Sequence, residues 1–158
     1  PYNHGNQPNL HISALFNFSG KPWLSQKWMR AICNEFYGTE GIHGYGYGQD
    51  EDQGQLGAWY VLASMGLFDA KGLTAPNPTM QIVRPIFDKV TVKLNPKYYK
   101  GKQFVIETNN NSADNVYIES ITLNGKPLNG VQLPFEEIVN GGRLNINLSA
   151  TPNTSLTK

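Results

Sequence analysis

The stretch YGYGQDEDQGQLGAWYVLASMGLF, residues 45–68, divides into a glycine-rich half and an apolar half. The first half alternates glycine with tyrosine and runs into three consecutive acids at positions 50–52. In the second half, from about Gln53 to Gly66, the apolar spacing is helical. One face of that helix collects Leu56, Trp59, Tyr60, Ala63 and Leu67. The stretch therefore predicts a helix whose start lies beside an acidic run.

Two earlier segments also have helical spacing. One apolar face consists of Leu10, Ala14, Leu15 and Phe18. A second stripe consists of Trp28, Ile32 and Phe36, with Met29 beside it. Pro22 near the start of the second segment and Gly38 at its end are typical helix boundaries. The first half of the chain is therefore predicted to be helical.

Beyond residue 78 the apolar period changes to two. Five segments alternate apolar and polar residues, namely MQIVRP, KVTVKLN, QFVIETN, VYIESITLNG and RLNINLSA. The dipeptide Asn124-Gly125 favours a hairpin turn. These patterns predict an α+β fold, with helices in residues 1–75 followed by an antiparallel β-segment in residues 76–158.

Composition excludes several classes of function. The 158 residues carry a net charge of +1, which argues against a nucleic-acid interface. The longest apolar runs fall short of a transmembrane helix. The single cysteine, Cys33, excludes an intrachain disulfide. The chain starts PYNHGNQPNL, without an initiator methionine or signal peptide, so we expect a fragment of a longer protein.

The acidic run allows three interpretations. In the first, Asp50 and Gln53 form a capping box and the neighbouring acids complement the helix dipole. In the second, the run opens a calcium loop. An EF-hand loop is disfavoured because Gln55 and Val61 occupy the positions that require glycine and glutamate. A phosphate loop is also disfavoured, because no lysine follows the glycines.

The third interpretation is catalytic. Asp50 and Asp52 are two positions apart, so their side chains diverge and one can activate a water molecule while the other holds or tunes it. Two like charges this close raise one pKa, which suits a general base. The glycines leave room for a substrate, and Tyr45 and Tyr47 offer stacking faces and hydroxyls.

A second polar cluster, YNHGNQPNLH, precedes the first helical segment. As a helix entry, it would place Asn6 or Gln7 near the cap and Pro8 in the first turn. A zinc site is disfavoured because His4 and His11 lack an evident third ligand. Amide oxygens and imidazoles instead suit sugar hydroxyls or a lightly charged calcium site.

The two clusters together are similar to a known family. The segments YNHGNQP, HISALFNFSGKPWLSQ, DEDQGQLGAWYVLASMGLF, MQIVRPIFDKVTVKL and NNSADNVYIESITLNGK resemble the C-terminal part of glycoside hydrolase family 92. Members are calcium-dependent exo-acting α-mannosidases with an N-terminal β-sandwich and a C-terminal (α/α)6 barrel. The resemblance implies that residues 1–75 are the last barrel helices and that residues 76–158 pack back on the catalytic domain.

The resemblance also implies roles for particular residues. The family's base carboxylates correspond to Asp50 and Asp52, while its general acid is a glutamate upstream of this chain. Asn6 corresponds to a candidate ligand of the calcium ion, which binds the sugar's vicinal hydroxyls. His4 and Gln7 would lie near the sugar. Many relatives carry glutamate where Gln7 stands, a difference that bears on the local charge or on the linkage preference.

The implied partner is a mannose-containing glycan, and the implied location is secreted or periplasmic. We expect the isolated fragment to be inactive and to self-associate through apolar helix faces that lack their partners. An alternative function is a carbohydrate-binding module, since the aromatic residues and amide-rich loops suit sugars. That alternative is weakened because the acids fall in the helical half.

Overall fold

The structure, a computed structural model, describes residues 2–38 and 54–157. Its helical elements are 3-10 helices at Gln7–Asn9 and Ile12–Phe18, α1 (Pro22–Glu35), α2 (Gln55–Met65) and α3 (Phe135–Val139). Its strands are β1 (Leu67–Phe68), β2 (Thr79–Ile82), β3 (Lys89–Lys93), β4 (Gln103–Asn109), β5 (Tyr117–Leu123), β6 (Lys126–Pro127), β7 (Gln132–Pro134) and β8 (Gly142–Ser149). Within these residues, no helix has the length and apolar character needed to cross a membrane.

The strands form two sheets. One sheet has the order β1-β2-β7 and the other the order β3-β4-β8-β5-β6. The pairs that the structure describes are antiparallel, as predicted, except that β4 runs parallel to β8. A parallel pair needs a long crossover, which residues 110–141 supply through β5, β6, β7 and α3. The mixture of helix and mainly antiparallel sheet agrees with the predicted α+β class.

The hairpin predicted at Asn124-Gly125 is confirmed. Leu123 of β5 pairs with Lys126 of β6, and the two turn residues have φ angles of 51° and 79°. Positive φ at both positions gives the turn type whose twist matches the flanking strands. The Asn124 side chain also accepts a hydrogen bond from the backbone N–H of Arg143 at 2.9 Å, which fixes the turn to β8.

The predicted apolar face of the first helical segment is only partly buried. Leu10 and Ala14 are buried, whereas Leu15 and Phe18 are 43% and 42% exposed and lie beside the exposed Ile12. The segment is a 3-10 helix, whose three residues per turn align positions i, i+3 and i+6. The prediction that Leu15 and Phe18 share the buried face was therefore wrong, because it assumed the 3.6-residue period of an α-helix.

The apolar stripe predicted on α1 is rotated in the structure. Met29, Ile32 and Cys33 are buried, whereas Trp28 and Phe36 are 46% and 37% exposed. The buried positions pack against the first helical segment and α2, in one apolar cluster with Leu10, Ala14, Leu56, Trp59 and Ala63. Trp28 and Phe36 thus lie at the surface beside this apolar cluster and are not part of it.

A second apolar cluster fills the sheet half, with Phe104, Ile106, Ile118, Leu144 and Ile146 among its fully buried members. α2 joins the two clusters, because Trp59 packs in the helical cluster and Leu62 packs against the sheet cluster. The predicted division of the chain between residues 75 and 76 stays a prediction.

α2 ends at Met65, and its C-cap residue, Gly66, has the left-handed φ of 89°. Its N–H donates to the carbonyl of Ala63 at 3.0 Å. A Cβ atom at this position would lie 2.5 Å from Cγ of Pro85. Both the conformation and the close approach of Pro85 therefore require glycine here.

Candidate active site

His4 lies at the centre of the candidate site and is fully buried, at 0% exposure. Its Nε2 is 2.7 Å from the hydroxyl of Tyr37, and its Nδ1 is 2.8 Å from the hydroxyl of Tyr2. The ring also meets Trp59 edge to face, with 4.4 Å between ring centroids. The imidazole is therefore fixed in position by two hydroxyls and an indole.

The hydrogen bonds assign the tautomer of His4. The Tyr37 hydroxyl donates to the carbonyl oxygen of Leu56 at 2.9 Å, so it accepts a hydrogen bond from Nε2–H of His4. Nδ1 is left to accept from the Tyr2 hydroxyl. Burial lowers the pKa of His4 to about 4 and raises the pKa of Tyr2 to about 12, so both groups are neutral near pH 7.

This network connects three separate parts of the chain. Tyr2 and His4 belong to the polar cluster at the start, Tyr37 follows the end of α1, and Leu56 lies in the first turn of α2. A backbone carbonyl in the first turn of α2 is thus held through Tyr37 to His4. The network fixes the end of α1 to the beginning of α2.

The two predicted base residues, Asp50 and Asp52, belong to residues 39–53, which lie outside the part of the chain that the structure describes. The same holds for the predicted capping residue Gln53 and for the tyrosines of the glycine-rich stretch. The described helix begins at Gln55, close to its predicted start. The N-cap residue of this helix is Gly54, so the prediction that Asp50 and Gln53 form its capping box was wrong, whereas the catalytic role of the acids stays a prediction.

Asn6 and Gln7 both lie on the exposed surface of the turn that enters the first 3-10 helix. Asn6 is the N-cap residue, as the helix-entry interpretation predicted, but its side chain makes no capping hydrogen bond. The turn is held instead by Asn3, whose carbonyl accepts from the Asn9 side chain at 2.9 Å. The side chains of Asn6 and Gln7 are therefore turned towards solvent, where they can meet a ligand.

A groove of about 300 Å³ runs from Gln7 along α2. Gln7, His11, Gln55 and Asp69 contribute polar groups to its walls, and Trp59 forms part of its apolar lining. The indole N–H of Trp59 donates to the carbonyl of Leu10 at 2.7 Å, which fixes that lining. Amides, an imidazole and a carboxylate around an apolar surface are suited to the hydroxyls and C–H faces of a sugar.

The described residues fit a calcium ion only in part. Among residues 2–38 and 54–157, no three histidine, cysteine, aspartate or glutamate side chains lie close enough to hold a metal. Calcium takes six to eight oxygen ligands, and amide oxygens are among those it accepts. The exposed Asn6 side chain fits as one such ligand, and the others would come from outside the described residues.

Sequence reasoning missed Tyr2 and Tyr37 as parts of the site. Tyr37 is 33 positions from His4 along the chain and follows a helix whose pattern indicated only core packing. The signal available in the sequence was a histidine in a polar cluster that begins with Tyr2, and a tyrosine just after the second helical segment. Single-sequence periodicity carries no information on such long-range hydrogen bonds.

Comparison with known proteins finds the same family over almost the whole chain. The model of the glycosyl hydrolase family 92 catalytic domain matches residues 1–150. A protein of Arthroderma benhamiae described as an uncharacterized secreted glycosidase is 32% identical over 151 residues, which is 91% of this chain and 18% of that protein.

Solved structures from Bacteroides thetaiotaomicron share the fold. A family GH92 α-mannosidase is 29% identical, with a TM-score of 0.86, over 99% of this chain and 20% of that chain. A family GH92 inverting mannosidase is 35% identical, with a TM-score of 0.83 and the same coverage. The chain thus spans about a fifth of the length of these relatives.

Proposed function

We propose that this chain, which belongs to glycosyl hydrolase family 92, forms part of the active site of an inverting exo-α-mannosidase. The family match over residues 1–150 supports a glycosidase. The descriptions of the two solved relatives as an α-mannosidase and an inverting mannosidase support the substrate and the stereochemistry. The observation that carries the proposal is the bridge from His4 through Tyr37 to Leu56, which joins the two helices that flank Asp50 and Asp52.

In the proposed mechanism, Asp50 and Asp52 act as the base pair. The carboxylate nearer the water removes its proton as the water attacks the anomeric carbon, while the other orients that water. An inverting glycosidase needs a general acid about 6.5–9.5 Å from the base, so that the water fits between the carboxyl groups. This acid is a glutamate elsewhere in the intact protein, and we expect the isolated chain to be inactive without it.

The remaining predicted residues bind the sugar or position other groups of the site. The exposed amide of Gln7 faces the groove and hydrogen-bonds sugar hydroxyls, and Asn6 contributes one oxygen to a calcium site. Calcium, when bound, supplies coordination of vicinal sugar hydroxyls. His4 is neutral and buried, so it supports the wall of the site and holds Tyr37 in place.

The natural substrate class is a glycan with terminal α-linked mannose. A secreted or periplasmic location suits such a substrate, and the Arthroderma relative is described as secreted. The test is hydrolysis of an aryl α-mannoside by the intact protein, followed by NMR to identify the first anomer released. The proposal predicts β-mannose first and loss of activity with a chelator. Release of α-mannose first would overturn the inverting assignment.

A carbohydrate-binding module is the alternative, and the groove of about 300 Å³ favours it, since its polar lining suits a sugar without any catalytic acid. Calorimetry of the intact protein with mannose distinguishes the two functions when it is paired with the hydrolysis assay. Binding of mannose without hydrolysis of any aryl α-mannoside would favour the module.

A further inference from the structure

Arg84, two positions after β2, is a buried cation at 3% exposure. It donates from Nε to the carbonyl of Asn115 at 3.2 Å, from Nη1 to that of Pro85 at 2.9 Å and from Nη2 to that of Ser112 at 2.8 Å. All three acceptors are neutral. The ion pairs that the structure describes both use Glu107, so within the described residues Arg84 has no ion-pair partner.

A second arginine, Arg30, lies on the helix that packs against β5. On α1, Gln26, Arg30 and Cys33 follow one another at helical spacing and share one face. Gln26 accepts a hydrogen bond from the buried backbone N–H of Ile118 at 2.9 Å, so this face meets β5. The Arg84 acceptors Ser112 and Asn115 lie in the loop that leads into β5.

The residues around Arg30 and Arg84 also indicate that the two side chains are close. Val83, next to Arg84 in sequence, packs in the same apolar cluster as Cys33. Nη1 of Arg30 is buried and has no hydrogen-bond partner among the described residues. Burial, and then the positive charge of Arg30, lowers the pKa of Arg84 to about 10. The buried guanidinium of Arg84 thus lies within electrostatic reach of the half-buried Arg30, whose Nη1 is itself buried, and neither has a described counter-charge.

The buried charge of Arg84 and the unpaired buried donor of Arg30 are both costly, because no anion compensates for the hydration that each group lost. An oxyanion would remove this cost, since guanidinium groups match the paired oxygens of carboxylate and similar anions. We propose that Arg30 and Arg84 form an anion-binding site at the junction of α1 and β5, in which Nη1 of Arg30 donates to a carboxylate or an inorganic oxyanion. The site is independent of the proposed glycosidase chemistry.

The sign of a stability change tests the site. The replacement Arg30→Met keeps an unbranched side chain and removes the charge. Removing a buried donor that has no partner is neutral or stabilising, whereas removing one partner of a buried pair is strongly destabilising. We therefore expect Arg30→Met to lower the melting temperature of the intact protein by several degrees. Arg30→Lys, which keeps the charge, should lower it by a smaller amount. Lys27→Met, an exposed position on the same helix, is the matched control and should change it little.

A second measurement identifies the source of the anion. The melting temperature is followed against sodium formate, with sodium chloride keeping the ionic strength constant. A saturable rise in the wild type that Arg30→Met lacks identifies a free anion. A lower melting temperature in Arg30→Met without any formate dependence identifies a carboxylate of the protein itself. An unchanged or raised melting temperature in Arg30→Met overturns the proposal.

Discussion

Nε2 of His4 lies 2.7 Å from the hydroxyl of Tyr37, although 33 positions separate the two residues. The same hydroxyl donates to the carbonyl of Leu56 at 2.9 Å. A single phenol therefore satisfies a buried imidazole and a carbonyl in the first turn of α2. Since residues 39–53 connect Tyr37 to α2, this contact fixes the two ends of the segment that carries the proposed base.

Tyr37→Phe should destabilise the protein and reduce catalysis. The change leaves Nε2–H of His4 without its partner and removes one hydrogen bond from the Leu56 carbonyl, and an unsatisfied buried group costs about 1–3 kcal/mol. We expect a lower melting temperature and a fall in kcat larger than any rise in KM, because the proposed base would be held less well. Thermal unfolding and steady-state kinetics on an aryl α-mannoside measure both effects.

Tyr98→Phe serves as the control for this variant, because Tyr98 is 69% exposed and loses only a solvated hydroxyl. It should leave the melting temperature and kcat close to those of the wild type. If Tyr37→Phe behaves like Tyr98→Phe in both measurements, the hydroxyl of Tyr37 does not position α2.

Cys33 should be unreactive in the native protein. Burial raises the pKa of its thiol from the ordinary value of 9.0 to about 12, so almost no thiolate is present at pH 8. Because the folded pKa is higher, the thiol's contribution to stability is present below pH 9 and is lost as the pH rises towards 12. Mass spectrometry after iodoacetamide treatment should find Cys33 labelled in urea and unlabelled without it. Rapid native labelling would contradict the burial.

Gly66→Ala should be more destabilising than Gly125→Ala. Both glycines have positive φ, 89° and 79°, so both substitutions strain the backbone by about 1–2 kcal/mol. At Gly66 the new methyl group would also lie 2.5 Å from Pro85, whereas at Gly125 nothing lies within 4 Å. Urea unfolding of the two variants measures the difference. Equal losses of unfolding free energy would show that Pro85 moves aside at no cost.

Local pattern predicted much of the sheet half. The segment QFVIETN was predicted as a strand and is β4 with the same bounds, because alternating residues bury one face of a sheet. The short strand β1 and the helix α3 were missed, since two and five residues carry too little periodicity. The parallel pairing of β4 with β8 was also missed, because strand order depends on contacts distant in sequence.

The helical half shows a different limit. The start of α1 at Pro22 and the end of α2 just before Gly66 follow from the conformations that these two residues allow. The exposure of Leu15 and Phe18 could not be predicted from the sequence, because the same spacing of apolar residues fits an α-helix and a 3-10 helix. In the site, the polar cluster was predicted, but the contact between His4 and Tyr37 depends on tertiary packing.

The replacement of Asp50 and Asp52 by alanine tests the central claim most directly. In the intact protein, release of mannose from an aryl α-mannoside should fall by about 10²–10⁴-fold, the usual contribution of a general base. Asp114→Ala, an exposed acid in the loop before β5, is the matched control and should keep full activity. Circular dichroism should show that the double variant is folded. A folded double variant with wild-type activity would contradict the proposed role of these carboxylates.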